Sequence, residues 1–311
     1  MPPRLPESSI VLEEKIGDMS YPELVTYDIS ADGSTRKDLL HMQDGAQIET
    51  VLLRYRKRYS VCVSTQVGCA CGCRFCATGQ MGFTRQLSAE EMLTQVLHFR
   101  SILAAHDADI SNVVFMGMGE PLLNEDQTLL AVEQLVDPRG LGLAPGRITL
   151  SSVGIASGIR RLADRHSRLP IKLAVSLHAA TEELRRRLMP VTATHTLESL
   201  FEALGDYTER TRRRVLFEWI MIRGVNDTAE QADALGYRLQ SLPSHVNLIQ
   251  LNPTPGYTAV PSLPETVAAF AATLDRYAIP HTMRQQKGGE ISAGCGQLSA
   301  RHASCRSDHT C

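Results

Sequence analysis

The residues whose spacing points most directly to chemistry are Cys69, Cys73 and Cys76. They sit in the run Gly68-Cys69-Ala70-Cys71-Gly72-Cys73-Arg74-Phe75-Cys76, directly after the apolar stretch Tyr59–Thr65. Three thiolates on one short loop can hold a metal ion or an iron–sulfur cluster. A cubane cluster normally takes four thiolates. Three leave one iron without a protein ligand, free to bind and reduce something else. Zinc is the competing occupant, but zinc wants a fourth ligand and Cys71 is too near in sequence to serve easily. No second pair follows until the loosely spaced His302, Cys305, His309 and Cys311. That tail reads as a frayed terminus rather than a metal site.

Other residue types worth singling out lie further along. Gly119-Glu120 follows an apolar run: a glycine lets a ligand approach the backbone, and a carboxylate accepts from an ammonium group. Ser151, Ser176, His178 and Asn252 fall at or just past apolar runs; singly, each reads as a satisfied polar residue at a loop mouth. Cys62 alone reads as a small buried hydrophobe. Cys295, between Gly294 and Gly296, has an open backbone better suited to chemistry than to packing. Glu49 reads as an exposed residue on a strand. Phe75 fits core filling and ligand packing equally well.

The elements that must position these groups alternate. Thr35–His41 and Gln47–Arg54 flank Gln43-Asp44-Gly45, the pattern of a β-hairpin. Short β-rich apolar runs follow at Ser60–Thr65, Asn112–Met116, Arg147–Ser151, Ile171–Leu177, Val215–Met221 and Val246–Leu251. Helical patterns lie between and after them at Ser88–Ala105, Asp126–Leu135, Ala156–Asp164, Leu197–Thr208, Thr228–Leu242 and Leu263–Tyr277. Ser88 with Glu91 makes a capping box. Repeated β-then-α units imply parallel strands with right-handed crossovers, in an open doubly wound sheet or a barrel. Both place sites at the C-terminal ends of strands, where the singled-out residues cluster.

The bulk numbers set bounds. With 311 residues, 43% hydrophobic and 21% charged, the chain should bury a sizeable core. A net charge of −2 argues against a globally basic nucleic-acid binder. The basic clusters Arg54–Arg58, Arg185–Arg187 and Arg210–Arg214 read first as solvated surface. No apolar run is long enough for a membrane span, and Met1–Pro6 lacks a signal-peptide core, so a cytoplasmic location is the default expectation. In a reducing compartment eight cysteines, four of them within Cys69–Cys76, suit metal ligation better than static disulfides.

Read together, Gln66–Cys69, Cys76–Phe83, Met116–Leu122, Ser176–Ala179, Gly224–Asp227 and Cys295–Leu298 occur in an order that resembles the RlmN/Cfr class of radical S-adenosylmethionine (radical SAM) RNA adenine methyltransferases. The resemblance runs from Thr35 to about Ala300. It implies an α/β fold: a partial (β/α)6 TIM-like barrel of the radical SAM type. The division it implies is a short hairpin-bearing extension at 1–58, the barrel with its catalytic C-terminal segment at 59–298, and a tail at 299–311. It further implies that Cys69, Cys73 and Cys76 ligate a 4Fe–4S cluster whose fourth iron binds S-adenosyl-L-methionine. Gly119, Glu120, Ser151, Ser176, the Leu177 backbone, His178 and Asn252 become contacts to that cofactor.

By the same resemblance Cys295 carries the methyl group, Cys62 resolves the protein–RNA adduct through a transient disulfide, and Glu49 accepts a proton. The implied substrate is adenosine in 23S rRNA, with tRNA as a second, methylated at ring carbon 2 in preference to carbon 8. The implied electron donor is of the flavodoxin or ferredoxin kind. Family members carry a helical N-terminal domain that grips RNA. The few residues before Thr35 suggest that it is truncated here, leaving Arg54–Arg58 and Arg210–Arg214 to contact phosphates. Two alternatives follow: the same chemistry on another RNA, a nucleoside or a peptide, and a metal- or RNA-binding module with no enzymatic activity.

Overall fold

The computed structural model describes residues 22–56 and 58–298. The tail cysteines and histidines therefore lie outside the described residues. The chain opens with three antiparallel strands, β1 (Glu23–Ile29), β2 (Thr35–His41) and β3 (Gln47–Tyr55). The expected hairpin is β2–β3, and β1 adds a third strand on its outer edge. β4 (Arg58–Cys62) pairs antiparallel with β3 on one side and parallel with β7 (Ile110–Phe115) on the other. From there the order is β7, β8 (Ile148–Ser152), β9 (Lys172–Ser176), β10 (Val215–Met221), β11 (Ser244–Gln250) and β12 (His281–Met283), every pair parallel. The resulting ten-stranded sheet ends at β1 and β12 and does not close on itself. This is the partial barrel expected from the sequence.

The helices follow the expected alternation. They are α1 (Ala77–Gln80), α2 (Ala89–Ala104), α3 (Glu125–Val136), α4 (Ala156–Arg165), α5 (Glu182–Leu188), α6 (Leu197–Thr211), α7 (Ala229–Leu239) and α8 (Pro264–Arg276). The capping box is present: Ser88 Oγ accepts from the Glu91 N–H, and the Glu91 carboxylate accepts from the Ser88 N–H at 2.9 Å. The parallel strands bury both faces, as their continuous apolar runs require. Phe217 and Trp219 of β10, Leu173 and Val175 of β9 and Leu150 of β8 are fully buried. Short α5 and β12 carry too few residues for a periodic pattern to stand out in the sequence.

Ser60–Thr65 was expected to be one strand, but β4 ends at Cys62. Beyond it Ser64–Gln66 turns off the sheet and is pinned by buried amide side chains. Gln95 accepts from the Ser64 N–H (2.8 Å) and donates to the Ser64 carbonyl (2.9 Å). Asn124 Nδ2 donates to Thr65 O (2.9 Å) and Leu87 O (2.7 Å). The chain then forms a two-stranded ribbon, β5 (Gln66–Gly68) with β6 (Phe83–Gln86), which closes the base of the cysteine loop. Gly68 at φ +77° makes that closure possible, because a Cβ there would lie 2.0 Å from the Gly82 carbonyl oxygen. Gly68→Ala is expected to destabilise the metal-free protein by more than about 1 kcal/mol, combining a left-handed backbone with a clash against main chain. The midpoint of denaturant unfolding measures this.

Candidate functional site

One large cavity opens at the C-terminal ends of the strands, with about 1250 Å³ of empty space including its mouth. Cys69, Cys73 and Cys76 all line it. So does Cys71, whose thiol shares a hydrogen bond with Cys69; the bond favours the Cys69 thiolate and pushes Cys71 up. Burial pushes Cys73 and Cys76 up as well. Among the described residues, no group of three or more His, Cys, Asp or Glu converges on a single ion. A polynuclear cluster makes no such demand, since each thiolate binds a different iron. A metal binds thiolates, so Cys69 is already biased toward the ligating form, while Cys73 and Cys76 would give up their protons to the metal as it binds. The three cysteines thus fit a cluster.

The C-terminal segment completes the wall. The Ala77 N–H donates to the Gly296 carbonyl at 2.6 Å, and Asn252 Nδ2 donates to the Cys295 carbonyl at 3.2 Å. Gln297 ties the turn together, accepting from Gly294 N–H (3.1 Å) and donating to Pro253 O (3.1 Å). Gly294 leaves room for Asn252, whose Nδ2 would lie 2.5 Å from a Cβ at that position. Cys295 and Cys62 therefore line the same cavity as the cluster loop. Both are free thiols. Burial, with Cys295 adding to it, pushes Cys62 up to about 12. The surrounding walls push Cys295 up too, while the Arg284 guanidinium opposes them. Cys295 as a residue remains exposed through the mouth, so it is the more accessible of the pair.

Glu120 is buried at the end of the Met116–Leu122 run. Its oxygens accept from Leu122 N–H (3.0 Å) and Val153 N–H (2.7 Å), which fixes its orientation. Burial still pushes it up to about 7. Gly119, at φ +99°, packs so tightly against Gln66 that a Cβ would lie 2.6 Å from that side chain. Ser151, Ser176 and His178 also line the cavity. His178 sits in the left-handed region at φ +57°, unusual for a residue with a side chain. Its Nδ1 accepts from the Ile220 N–H at 3.1 Å, so the neutral ring carries its proton on Nε2. Burial, reinforced by Arg185, lowers its pKa to about 3, which keeps it neutral. Phe75 meets His178 edge-on at 4.9 Å and both lines the cavity and fills the core beneath it. Leu177 is fully buried behind the wall, and Asn252 acts through Cys295 rather than as part of the lining.

Glu49 departs from its expected surroundings. It is fully buried, with Lys37 Nζ 3.2 Å from its carboxylate. It is not among the cavity-lining residues, although Val51 and Leu53, the next positions on the same face of β3, are. Desolvation pushes its pKa up and Lys37 opposes that shift.

Sequence reasoning overlooked several residues here. Glu218 and Arg284 line the same cavity and pair at 3.3 Å, and Asn247 Nδ2 donates to Glu218 at 2.9 Å. Glu218 sits mid-run in an apolar strand, and that was its only signal. Asn226, noted only as part of a motif, donates to the carbonyls of His178 (2.8 Å) and Ile220 (2.6 Å) and accepts from Ile222 N–H (2.7 Å). It holds the His178 turn. Of the basic clusters, Arg210 pairs with Asp164 and Arg186 with Glu182. Arg54, Arg56 and Arg58 border a surface hollow, where Arg58 lies 4.6 Å from the Tyr55 ring centre. Arg185 contradicts the solvated-surface expectation: it is fully buried.

Parallel strands, a three-cysteine loop after the first of them and a polar rim at their C-terminal ends define a radical SAM enzyme. Residues 63–234 match the radical SAM superfamily. The dual-specificity RNA methyltransferase RlmN 1 of Myxococcus xanthus is 52% identical over 271 residues, covering 87% of this chain and 75% of that protein. The ribosomal RNA large subunit methyltransferase N of Nitrosopumilus maritimus is 46% identical over 277 residues, covering 87% and 78%. A radical SAM methyltransferase structure from Sphaerobacter thermophilus aligns with a TM-score of 0.89 at 41% identity, covering 96% of this chain and 86% of that one. The chain belongs to the RlmN family of radical SAM RNA methyltransferases. Such enzymes use S-adenosylmethionine and an iron–sulfur cluster, and this membership sets aside the non-enzymatic module. No helix among the described residues is long and apolar enough to cross a membrane.

Two outcomes are expected of the metal-free protein. Arg284→Met should slow alkylation of Cys295 at neutral pH by about three- to tenfold, since it removes the cation that favours the thiolate, while Glu218→Gln should speed it; peptide mass spectrometry after timed iodoacetamide pulses reads both. Glu120 has a folded pKa above its unfolded value. Its stabilising contribution is therefore complete below the ordinary carboxylate range and is lost as pH rises through about 7. Urea midpoints across that window should fall with rising pH, and the fall should flatten in Glu120→Gln.

Proposed function

We propose that this enzyme methylates a ring carbon of adenosine in RNA, carbon 2 in preference to carbon 8, with 23S rRNA and tRNA as substrates. The observation that carries the reading is the sharing of one cavity by Cys62, Cys295 and the three cluster cysteines. An adenine ring carbon is electron-poor and does not attack a sulfonium methyl as a nucleophile would, so a radical route is needed. Cys69, Cys73 and Cys76 would hold a 4Fe–4S cluster; Gly119, Glu120, Ser151, Ser176, Leu177, His178 and Asn252 would hold S-adenosylmethionine beside it. When bound, this pair supplies one-electron chemistry able to take hydrogen from an unactivated C–H bond.

The rest falls to the chain's own residues. Cys295 sulfur serves as the methyl carrier, and its exposure at the mouth lets it meet both cofactor and base. As a thioether it presents a methyl C–H to the cavity, and the carbon that loses hydrogen joins the adenine ring. Restoring the aromatic ring removes one electron, which the bound cluster would take back, and one proton, for which Glu49 is the buried carboxylate of raised pKa just beyond the cavity-lining Val51 and Leu53 on the same face of β3. Cys62 then attacks the Cys295 sulfur. The carbon–sulfur bond to the RNA breaks with its electron pair left on the methylene carbon, which takes up a proton to become the methyl group, and a Cys62–Cys295 disulfide remains for cellular thiols to reduce. The buried Cys62 thiol must lose its proton as it attacks, which suits a resolving step better than a resting nucleophile. Flavodoxin or ferredoxin would deliver the electron in the cytoplasm.

Replacing Cys62 with alanine should trap a covalent protein–RNA adduct, visible as an RNA-shifted band on a denaturing gel. Normal turnover by that variant would remove Cys62 from the mechanism. Cys295→Ala should abolish both the methyl mark on the protein and methyladenosine in digested rRNA and tRNA. Nucleoside analysis after expression in a host lacking its own enzyme separates carbon 2 from carbon 8 and identifies the RNA.

A further inference from the structure

Arg185 lies in α5, directly beneath the cysteine loop. The Arg74 N–H donates to the Leu188 carbonyl at 3.0 Å, and Leu184 and Leu188 pack in the same small core as Cys71, Cys73 and Phe75. The guanidinium is completely buried. Nε donates to Leu177 O (3.2 Å), Nη1 to Thr192 Oγ1 (3.0 Å), and Nη2 to Ser176 O (3.3 Å) and Val153 O. All of these acceptors are neutral. Among the described residues Arg185 has no ion-pair partner, while the neighbouring Glu182 accepts from Arg186 and from Leu197 N–H instead. An unpartnered charge in an apolar interior costs several kcal/mol. Burial pulls Arg185 down to about 10, so it is still a cation at neutral pH. Of the acidic groups in electrostatic range, Cys73 is the strongest, followed by Glu182, Cys71 and Glu120.

We propose that Arg185 is the built-in countercharge of the cluster, a buried cation whose partner is the anionic centre held by Cys69, Cys73 and Cys76. The proposal rests on the cluster assignment made above. An iron–sulfur core on three thiolates is anionic, and reduction adds one electron more. A fixed cation beneath it stabilises the reduced form and raises its potential. Arg185 does not line the cavity and so acts through the loop and the strand ends, as a positioning residue. Guanidinium suits the task because its fork bonds the ends of β8 and β9, the strands that carry Ser151 and Ser176, while keeping its charge.

The test is an EPR-monitored redox titration of wild-type, Arg185→Lys and Arg185→Gln proteins, each reconstituted anaerobically and matched for iron and sulfide. Lysine keeps the charge and loses the fork; glutamine keeps donors and loses the charge. The Lys variant should hold the wild-type midpoint even if its metal-free form melts earlier. The Gln variant should show about a tenfold smaller reduced-to-oxidised ratio at a fixed potential, a shift of about 59 mV to lower values for one electron. Should Gln yield too little folded protein, Arg185→Met carries the same expectation. Equal midpoints in all variants, or equal shifts for Lys and Gln, overturn the countercharge. A wild-type protein that binds no cluster instead overturns the cofactor reading on which it rests.

Discussion

A short loop near residue 70 and a turn near residue 295 must share one wall, and the Ala77–Gly296 hydrogen bond is where they join. The bond is one of several that tighten the same corner. Asn252 holds the Cys295 carbonyl, Gln297 closes the turn, and glycines at 294 and 296 permit the approach. Each net hydrogen bond contributes only about 1 kcal/mol. Their combined effect is to hold the Cys295 backbone beside the loop while the residue stays reachable through the mouth. A reactive group is best placed this way, with its backbone fixed by the structure around it.

The electrostatics of the cavity follow from its walls. Glu120, Glu218, Cys73 and Cys295 are pushed up by burial among the apolar strands. Two guanidinium groups answer these shifts: Arg185 near Cys73 and Cys71, and Arg284 near Cys295. The first is tied to neutral carbonyls and the second to a carboxylate, Glu218. That difference matters. A cation with no carboxylate partner retains its field for whatever anion binds nearby, whereas a paired one acts mainly to orient its neighbours and tune a thiol. The neutral His178, on a left-handed turn near Arg185, is held by Asn226.

The sheet explains why these groups meet at all. Parallel strands with helical crossovers bring many loops to one edge, and that edge becomes the site. The chain strays from regular structure there in few places. Val63–Gln66 leaves β4 early, the β5–β6 ribbon stands off the main sheet, and His178 adopts a left-handed backbone. Each departure serves the cavity rim and is braced by buried polar side chains that have few acceptors or donors to spare.

The chain by itself determined the run of strands and helices, because buried parallel strands and amphipathic helices leave strong local patterns. Seven of the eight expected strands and all six expected helices fall within a few residues of their observed ends. It also marked Cys69, Cys73 and Cys76, whose spacing is local chemistry, and the motif order that identifies the family. Tertiary structure alone decided how distant segments meet: that Cys295 and Cys62 face one cavity, that Glu49 is buried against Lys37, and that Glu218 pairs with Arg284. It also turned Arg185 inward while leaving Arg186 and Arg187 at the surface side of the same short helix. Three adjacent arginines look alike in sequence. Only the direction in which a helix faces its neighbours, set by packing across the whole sheet, separates a solvated charge from a buried one.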